Sequence, residues 1–338
     1  MRWKSGCLQT WHINKEKTDM KTAGQLIQEL TKPGFSFELL PPMKGNSIKG
    51  VYRTIDQLKE FNPLFINITS HREEAVYRNT ENGLFERRVI RKRPGTVAVA
   101  ASIQHKYGIK VIPHIICSGF TKSETEYALI DLNFLGIHDL LLLRGDKPRR
   151  PDPLDVPSGE VNAHAIDLIG QVNNLNKGVF LDDTLAEAFE TPFSYGVAGY
   201  PEKHEEAPNL DSDIYWLKKK VEAGAEYVVT QMFFDNAKYY AFVERCRQVG
   251  INVPIIPGLK PLTFLNQLTV LPRIFHVDIP EDFAKELRKC KNDEEATRVG
   301  VEWTTMQSKD LLANGVNLIH FYTLMATNSV RQVASAIY

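Results

Sequence analysis

A carboxyl that follows an alternating apolar run and precedes two prolines is the first candidate for chemistry in this 338-residue chain. In FSFELLPP the period of two sets Phe35, Phe37 and Leu39 on one face of a strand and Ser36, Glu38 and Leu40 on the other. If the Glu38 face points into a closed sheet, the carboxyl is confined among apolar neighbours. Desolvation then raises its pKa and suits it to donate a proton near neutrality. The competing reading is a glutamate paired with a buried arginine or lysine. Polar residues stand at or near the ends of the other apolar runs as well: Thr69, His114, Arg144 with Asp146, Tyr200, Gln231 and Tyr322. Arg144-Gly145-Asp146 follows four leucines, and a glycine between opposite charges lets backbone approach a ligand closely; the alternative is a surface turn with an internal ion pair. YPEKHEEA (200–207) combines an aromatic ring, an imidazole and carboxylates. No other His or Cys pattern supports a metal at His204 with Glu205 or Glu206, so none is expected. Lys218, Lys219 and Lys220 are either solvated or placed to meet phosphate groups.

These residues must be positioned by the elements between them. The chain repeats a short apolar strand, a turn and an amphipathic helix. Strands are predicted at 35–40, 64–70, 110–117, 139–144, 194–200, 227–234, 253–259 and 317–324. Helices are predicted at 48–61, 96–107, 123–135, 162–175, 213–223, 237–249, 264–275, roughly 281–314, and 329–337. Ser123 with Glu126 reads as a capping box. Strands alternating with helices imply a parallel sheet. Eight such units without a break in composition favour a closed (β/α)8 TIM barrel, whose active site lies at the C-terminal ends of the strands. No G-x-G-x-x-G and no G-x-x-x-x-G-K-[ST] is present, so neither a Rossmann fingerprint nor a P-loop is signalled. A barrel interior is filled mostly by branched apolar side chains, and polar groups buried there without partners are costly. The convergent polar strand ends therefore read as one functional site.

Bulk properties set the wider frame. Lys plus Arg equals Asp plus Glu at 41 each, which gives no net field toward nucleic acid or an acidic membrane. The basic cluster Arg87, Arg88, Arg91, Lys92, Arg93 reads as a solvated helix face rather than a nucleic-acid patch. Cys7, Cys117, Cys246 and Cys290 are far apart, which fits reduced thiols in a cytoplasmic protein. No apolar run approaches the ~18 residues of a membrane span. Residues 1–19 lack an apolar signal-peptide core and are expected to be a disordered extension. Residues 20–338 then form one domain, with an extended loop at about 147–193.

FSFELLPP, PHIIC, LLLRGD, YPEKHEEA, DIYWLKKKVEAGAEYVVTQMFFD, IIPGLKP and HFYTL, in this order and spacing, resemble the methylenetetrahydrofolate reductase family over roughly residues 35–325. The resemblance implies an FAD enzyme, the flavin lying at the strand C-termini. NADH or NADPH reduces it and leaves. 5,10-Methylenetetrahydrofolate then takes the hydride and becomes 5-methyltetrahydrofolate, a methyl source for methionine synthesis. By motif match Glu38 is the general acid toward folate N10, and Asp146 lies near flavin and pterin. Gln231, Gln267, Asp146 and Tyr322 match the folate side. Thr69, Ser70, His114, Arg144, Gly145, Asp146, Ala165, Tyr200, His204, Ala207, Asp213, Lys219 and Lys220 match FAD contacts. The family also implies a homo-oligomer. The sequence given carries one helix after the eighth strand, so the expectation is the catalytic domain alone.

The chain departs from the family at Ser70-His71-Arg72, at Trp216 and Lys219 (Asn and Arg elsewhere), and at Leu271 (a Phe elsewhere). Met325-Ala326 stand where Asn-Arg usually follows HFYTL. Two rival readings share the barrel: a flavin dehydrogenase of the proline-oxidising type, and a barrel that binds flavin or folate without turnover. Glu38 before Pro41-Pro42, Asp146 and the two glutamines favour the folate reductase.

Overall fold

The computed structural model describes residues 21–146, 158–185, 189–324 and 326–338. The predicted extension 1–19 and the start of the long loop, 147–157, lie outside the described residues. In chain order the elements are α1 (Ala23–Gln28), β1 (Gly34–Leu39), α2 (Lys49–Leu58), β2 (Phe65–Ile68), β3 (Glu74–Asn79), β4 (Phe85–Ile90), α3 (Thr96–Tyr107), β5 (Val111–Ile116) and α4 (Lys122–Phe134). There follow β6 (Asp139–Leu143), α5 (Ala165–Leu175), β7 (Ser194–Gly199), α6 (Leu210–Glu222), β8 (Tyr227–Met232), α7 (Asn236–Gln248) and β9 (Ile255–Leu259). The last are α8 (Gln267–Phe275), α9 (Glu281–Lys289), α10 (Asp293–Ala313), β10 (Leu318–Tyr322) and α11 (Thr327–Ile337). Eight strands close in the order β1-β2-β5-β6-β7-β8-β9-β10, all parallel. The seam is β1 on β10, running from Gly34↔Leu318 to Glu38↔Tyr322. This is the (β/α)8 barrel expected from the sequence.

Strand alternation divides the apolar residues into two cores. Phe35, Phe37, Ile66, Ile68, Val111, Ile115, Leu140, Leu142, Val197, Val228, Ile319 and Phe321 face outward and pack with the helices. Phe65, Ile112, Leu141, Tyr227, Val229, Ile256 and Leu318 fill the lower barrel, and Ala23 and Ile27 of α1 close it from below. Helix α1 is tied there by its Ala23 amide, which donates to Asp139 Oδ1 at 2.6 Å, and by Thr22 Oγ1 donating to Glu226 Oε2 at 2.6 Å.

Three local expectations are corrected. The basic stretch containing Arg87 and Arg88 lies on a strand, not a helix: β3 and β4 form an antiparallel hairpin outside the barrel, turned through Gly83 at positive φ. Asn82-Gly83 between two β-rich runs was the available signal. The cap of α4 is Thr121 with Glu124, two residues before the predicted box. The predicted helix 281–314 is two helices, because Asn292 caps α10 anew by accepting from Glu295 N.

A third apolar cluster supports the ends of β8 and β9. Met232, Phe234, Leu262 and Leu271 pack with Phe283 and Ala296. Trp303 stacks on Phe283 with ring centroids 4.5 Å apart and donates to the Phe234 carbonyl at 3.0 Å. Helix α10 approaches so closely that a Cβ on Gly300 would lie 1.9 Å from the Leu262 carbonyl oxygen. Gly300→Ala therefore forces α10 away from the loop after β9. The expected cost is about 1–3 kcal/mol, read as a lower urea midpoint. An unchanged midpoint would show that the contact is loose.

Candidate active site

The inward-facing parity that fills the lower barrel continues upward into polar residues. Ser36, Asn67, His114 and His320 form a middle layer. Ser36 Oγ lies 3.0 Å from His320 Nδ1, and Asn67 Nδ2 lies 3.1 Å from His114 Nε2. Asn67 Oδ1 is buried without a hydrogen-bond partner among the described residues. Burial pushes both imidazoles down to about 3, so they are neutral near physiological pH. Above them stand Glu38, Thr69, Tyr200, Gln231 and Tyr322, each at or just beyond the end of its strand.

Glu38 is 7% exposed. Its partners in register are Asn67 on β2 and Tyr322 on β10, and its Oε2 is 3.9 Å from His114 Nε2. Desolvation pushes its pKa up to about 8. Lys260 opposes the rise and Asp146 adds to it. The carboxyl is confined and desolvated, as the first sequence reading has it; the paired reading does not hold, because among the described residues no Lys or Arg lies within 4.0 Å of it, and the buried Lys260 acts on it from beyond contact. Lys260 itself was missed. It sits one residue past β9, and a lysine between Leu259 and Pro261 reads as a loop. The signal available was its parity with Ile256, which points it inward.

The other mouth residues come from the loops after β6 and β7. Gly145 has φ +84, and a Cβ there would lie 3.1 Å from Ile116 Cβ. That glycine lets the chain turn against β5 between Arg144 and Asp146. Arg144 pairs with Glu206 and, at 3.5 Å, with Glu205 Oε1; Glu205 Oε2 also meets His276 Nε2 at 3.0 Å. Glu205 and Glu206, the carboxylates that follow His204, are engaged in this ion-pair network. Lys203, at φ +90, winds the YPEKHEEA loop by donating to the carbonyls of His204 and Ala207. Tyr200 packs edge-on against His204 with centroids 4.8 Å apart. Asp213 receives the His204 amide at 2.9 Å, and burial raises its pKa.

The lysines of α6 separate by helical phase. Lys220 is turned toward β7, where its ammonium donates to the Ala198 carbonyl at 3.2 Å, and desolvation lowers its pKa to about 8. Lys219 lies on the exposed side, bound to Glu222 at 2.8 Å. The geometry does not bring it to the mouth.

Gln231 stands at a register shift between β8 and β9, and bulges of this kind re-aim side chains. Its Oε1 accepts from Met232 N at 2.9 Å. Gln267 opens α8 and accepts from Thr263 N and Phe264 N at 2.8 and 3.1 Å. Tyr322 donates to the Thr230 carbonyl at 2.6 Å, and Thr69 Oγ1 lies 2.9 Å from His71 Nε2. Ala165 is the first residue of α5, and Ser70 is half-buried beyond β2.

The Glu38 shift makes stability pH-dependent. The unfolded carboxyl ionises near 4.5, whereas the folded one holds its proton to about 8. The native state therefore binds more protons between those values, and its stability falls as pH rises through that window. Glu38→Gln removes the titration. From pH 5 to pH 8 the variant should gain on the wild type by a few kcal/mol in chemical denaturation. Parallel stability curves would mean that Glu38 ionises normally.

Comparison with known proteins identifies the family. The profile of the family "Methylenetetrahydrofolate reductase" matches residues 24–337. The 5,10-methylenetetrahydrofolate reductase of Salmonella typhimurium is 30% identical over 290 residues, covering 86% of this chain and 85% of that protein. That of Pectobacterium carotovorum is 28% identical, covering 93% and 92%. Methylenetetrahydrofolate reductase (NADH) 1 of Arabidopsis thaliana is 28% identical over 90% of this chain but only 48% of its own length. The chain spans about half the length of such eukaryotic relatives. Among solved structures, an uncharacterized protein from Clostridium thermocellum that binds two copies of 5-methyl-5,6,7,8-tetrahydrofolic acid aligns with a TM-score of 0.55. It is 14% identical and covers 92% of this chain and 96% of that one, a likeness of fold alone. By its family profile and its bacterial relatives, this chain belongs to the methylenetetrahydrofolate reductase family.

Proposed function

We propose that the protein reduces 5,10-methylenetetrahydrofolate to 5-methyltetrahydrofolate, with NADH or NADPH as the hydride source and FAD as the carrier. The observation that carries this reading is Glu38, a carboxyl 7% exposed at the end of β1 that keeps its proton to about pH 8. A neutral carboxylic acid at physiological pH is what protonation of a weakly basic folate nitrogen requires. Proton transfer from Glu38 to N10 opens the methylene bridge to an electrophilic iminium. Glu38 is left as a carboxylate and recovers its proton from solvent in the next turnover.

The residues at the rim fit a flavin dinucleotide. Among the described residues Lys220 has a single carbonyl acceptor and no ion pair, so its ammonium is available to a diphosphate. His204, Ala207 and Asp213 belong to the loop and helix that carry it, and Ala165 begins α5. FAD, when bound, supplies the hydride relay between the nicotinamide and the folate one-carbon unit. Thr69, Ser70, His114, Arg144, Gly145 and Tyr200 would hold it at the strand ends, and Gln231, Gln267, Asp146 and Tyr322 would hold the folate. A cytoplasmic homo-oligomer supplying methyl groups for methionine synthesis is part of the same reading.

Anaerobic half-reactions test it. Protein reduced by NADH or NADPH should be reoxidised by methylenetetrahydrofolate; a flavin that stays reduced would sink the proposal. In Glu38→Gln, reduction by nicotinamide should persist, while folate turnover falls by at least ~100-fold. Equal loss of both half-reactions would make Glu38 a structural residue instead.

A further inference from the structure

Lys260 is 3% exposed, the most deeply buried lysine among the described residues. Lys110, by contrast, is ion-paired with Asp139. Lys260 has no hydrogen-bond acceptor and no carboxylate within 4.0 Å among the described residues. Its stem is buried while its ammonium, which is not among the side-chain atoms cut off from water, keeps contact with solvent at the barrel mouth, so a cation without an ion-pair partner stands in the mouth itself. Register supplies its place. β9 pairs with β10 through His320↔Gly258 and Phe321↔Leu259, and β10 pairs with β1 through Glu38↔Tyr322. Continuing the β9 register by one residue sets Lys260 level with Tyr322, and so with Glu38, on one rung of the barrel mouth. The lysine follows the inward parity of Ile256. The loop beyond it is clamped by the approach of Gly300 to Leu262.

We propose that Lys260 is a positioning residue for the proton transfer, a buried cation held out of contact with Glu38 that stabilises the carboxylate formed when Glu38 gives up its proton. This rests on the reading of Glu38 as proton donor. Before transfer Glu38 is neutral and calls for no counter-ion, so no ion pair forms and the acid stays protonated. On transfer the O–H bond breaks, the proton joins the lone pair of the substrate nitrogen, and the electron pair left on Glu38 meets the field of Lys260. The interaction is stronger after transfer than before, which is the condition for it to assist the step. The other groups facing Glu38 do not supply this charge. His114 on β5 is neutral, Tyr322 on β10 is a neutral phenol, and Asp146 after β6 acts in the opposite direction. Lys260 has its own proton affinity lowered to about 8 by burial, an effect that ionised Glu38 opposes.

The test is Lys260→Met, which keeps an unbranched side chain of nearly the same length and removes the charge. With 13C-carboxyl-labelled glutamate, the Glu38 resonance is the one missing from Glu38→Gln. In Lys260→Met its titration should move up by about one to two pH units, the size of one charge acting a few ångström beyond contact at an effective dielectric near 20. The folate half-reaction should slow at least ~10-fold at neutral pH, with its alkaline limb displaced upward and reduction by nicotinamide unchanged. Lys260→Arg should keep the wild-type titration. If Lys260→Met fails to fold, Lys260→Gln is read in the same way. An unmoved Glu38 titration in the uncharged variant overturns the proposal. If the titration moves but the wild type does not reduce methylenetetrahydrofolate, the charge coupling stands and the folate reading falls.

Discussion

A carboxyl group buried at the mouth of a parallel barrel can either ionise beside a cation or keep its proton. Glu38 keeps its proton chiefly because burial strips it of water, and because Lys260, whose charge favours ionisation, is out of contact. Much of the structure serves that separation. Phe35 and Phe37 face the helices, so Glu38 faces inward; the seam between β1 and β10 fixes its height; Tyr322, anchored on the Thr230 carbonyl, stands between it and the lysine strand. Closer approach would favour an ordinary ion pair and an ionised carboxylate, which has no proton to give.

A second set of interactions positions the loops. The Arg144, Glu205, Glu206 and His276 network joins the loop after β6 to the loop after β7 and to the end of α8. Lys238 ties Glu202 to Asp278 beside it. The strand ends set the acid, and these pairings shape the rim on which the two substrates of the proposed reaction would alternate. Gln231 and Gln267 each have a side-chain oxygen held by nearby backbone amides, so their orientation is fixed before any ligand contacts them.

Much of this was legible in the sequence because it depends on period. Alternation in FSFELL places Glu38 inside, and the same alternation explains why polar residues gather at or near seven of the eight strand ends. Eight strand–helix repeats gave the barrel, with boundaries correct to within a few residues. Period also explains what was not legible. Lys219 and Lys220 differ by about 100° around α6, and only packing against β7 tells which one turns inward. Lys260 lies beyond the last paired residue of its strand, where neighbours in sequence, Leu259 and Pro261, give no hint of burial. The β3–β4 hairpin buries no core of its own, and its charged residues carry no helix or barrel signature. Thr121 with Glu124 has the same capping-box spacing as Ser123 with Glu126, and the helix starts at the earlier of the two.

Vibrational spectroscopy reads directly whether Glu38 is a neutral acid at physiological pH. Difference infrared spectra of wild type and Glu38→Gln at pH 7 should show a protonated-carboxyl C=O stretch present only in the wild type. It should fade with a midpoint near pH 8. A carboxylate signature at pH 7, with the protonated band appearing only toward pH 4.5, would contradict the account.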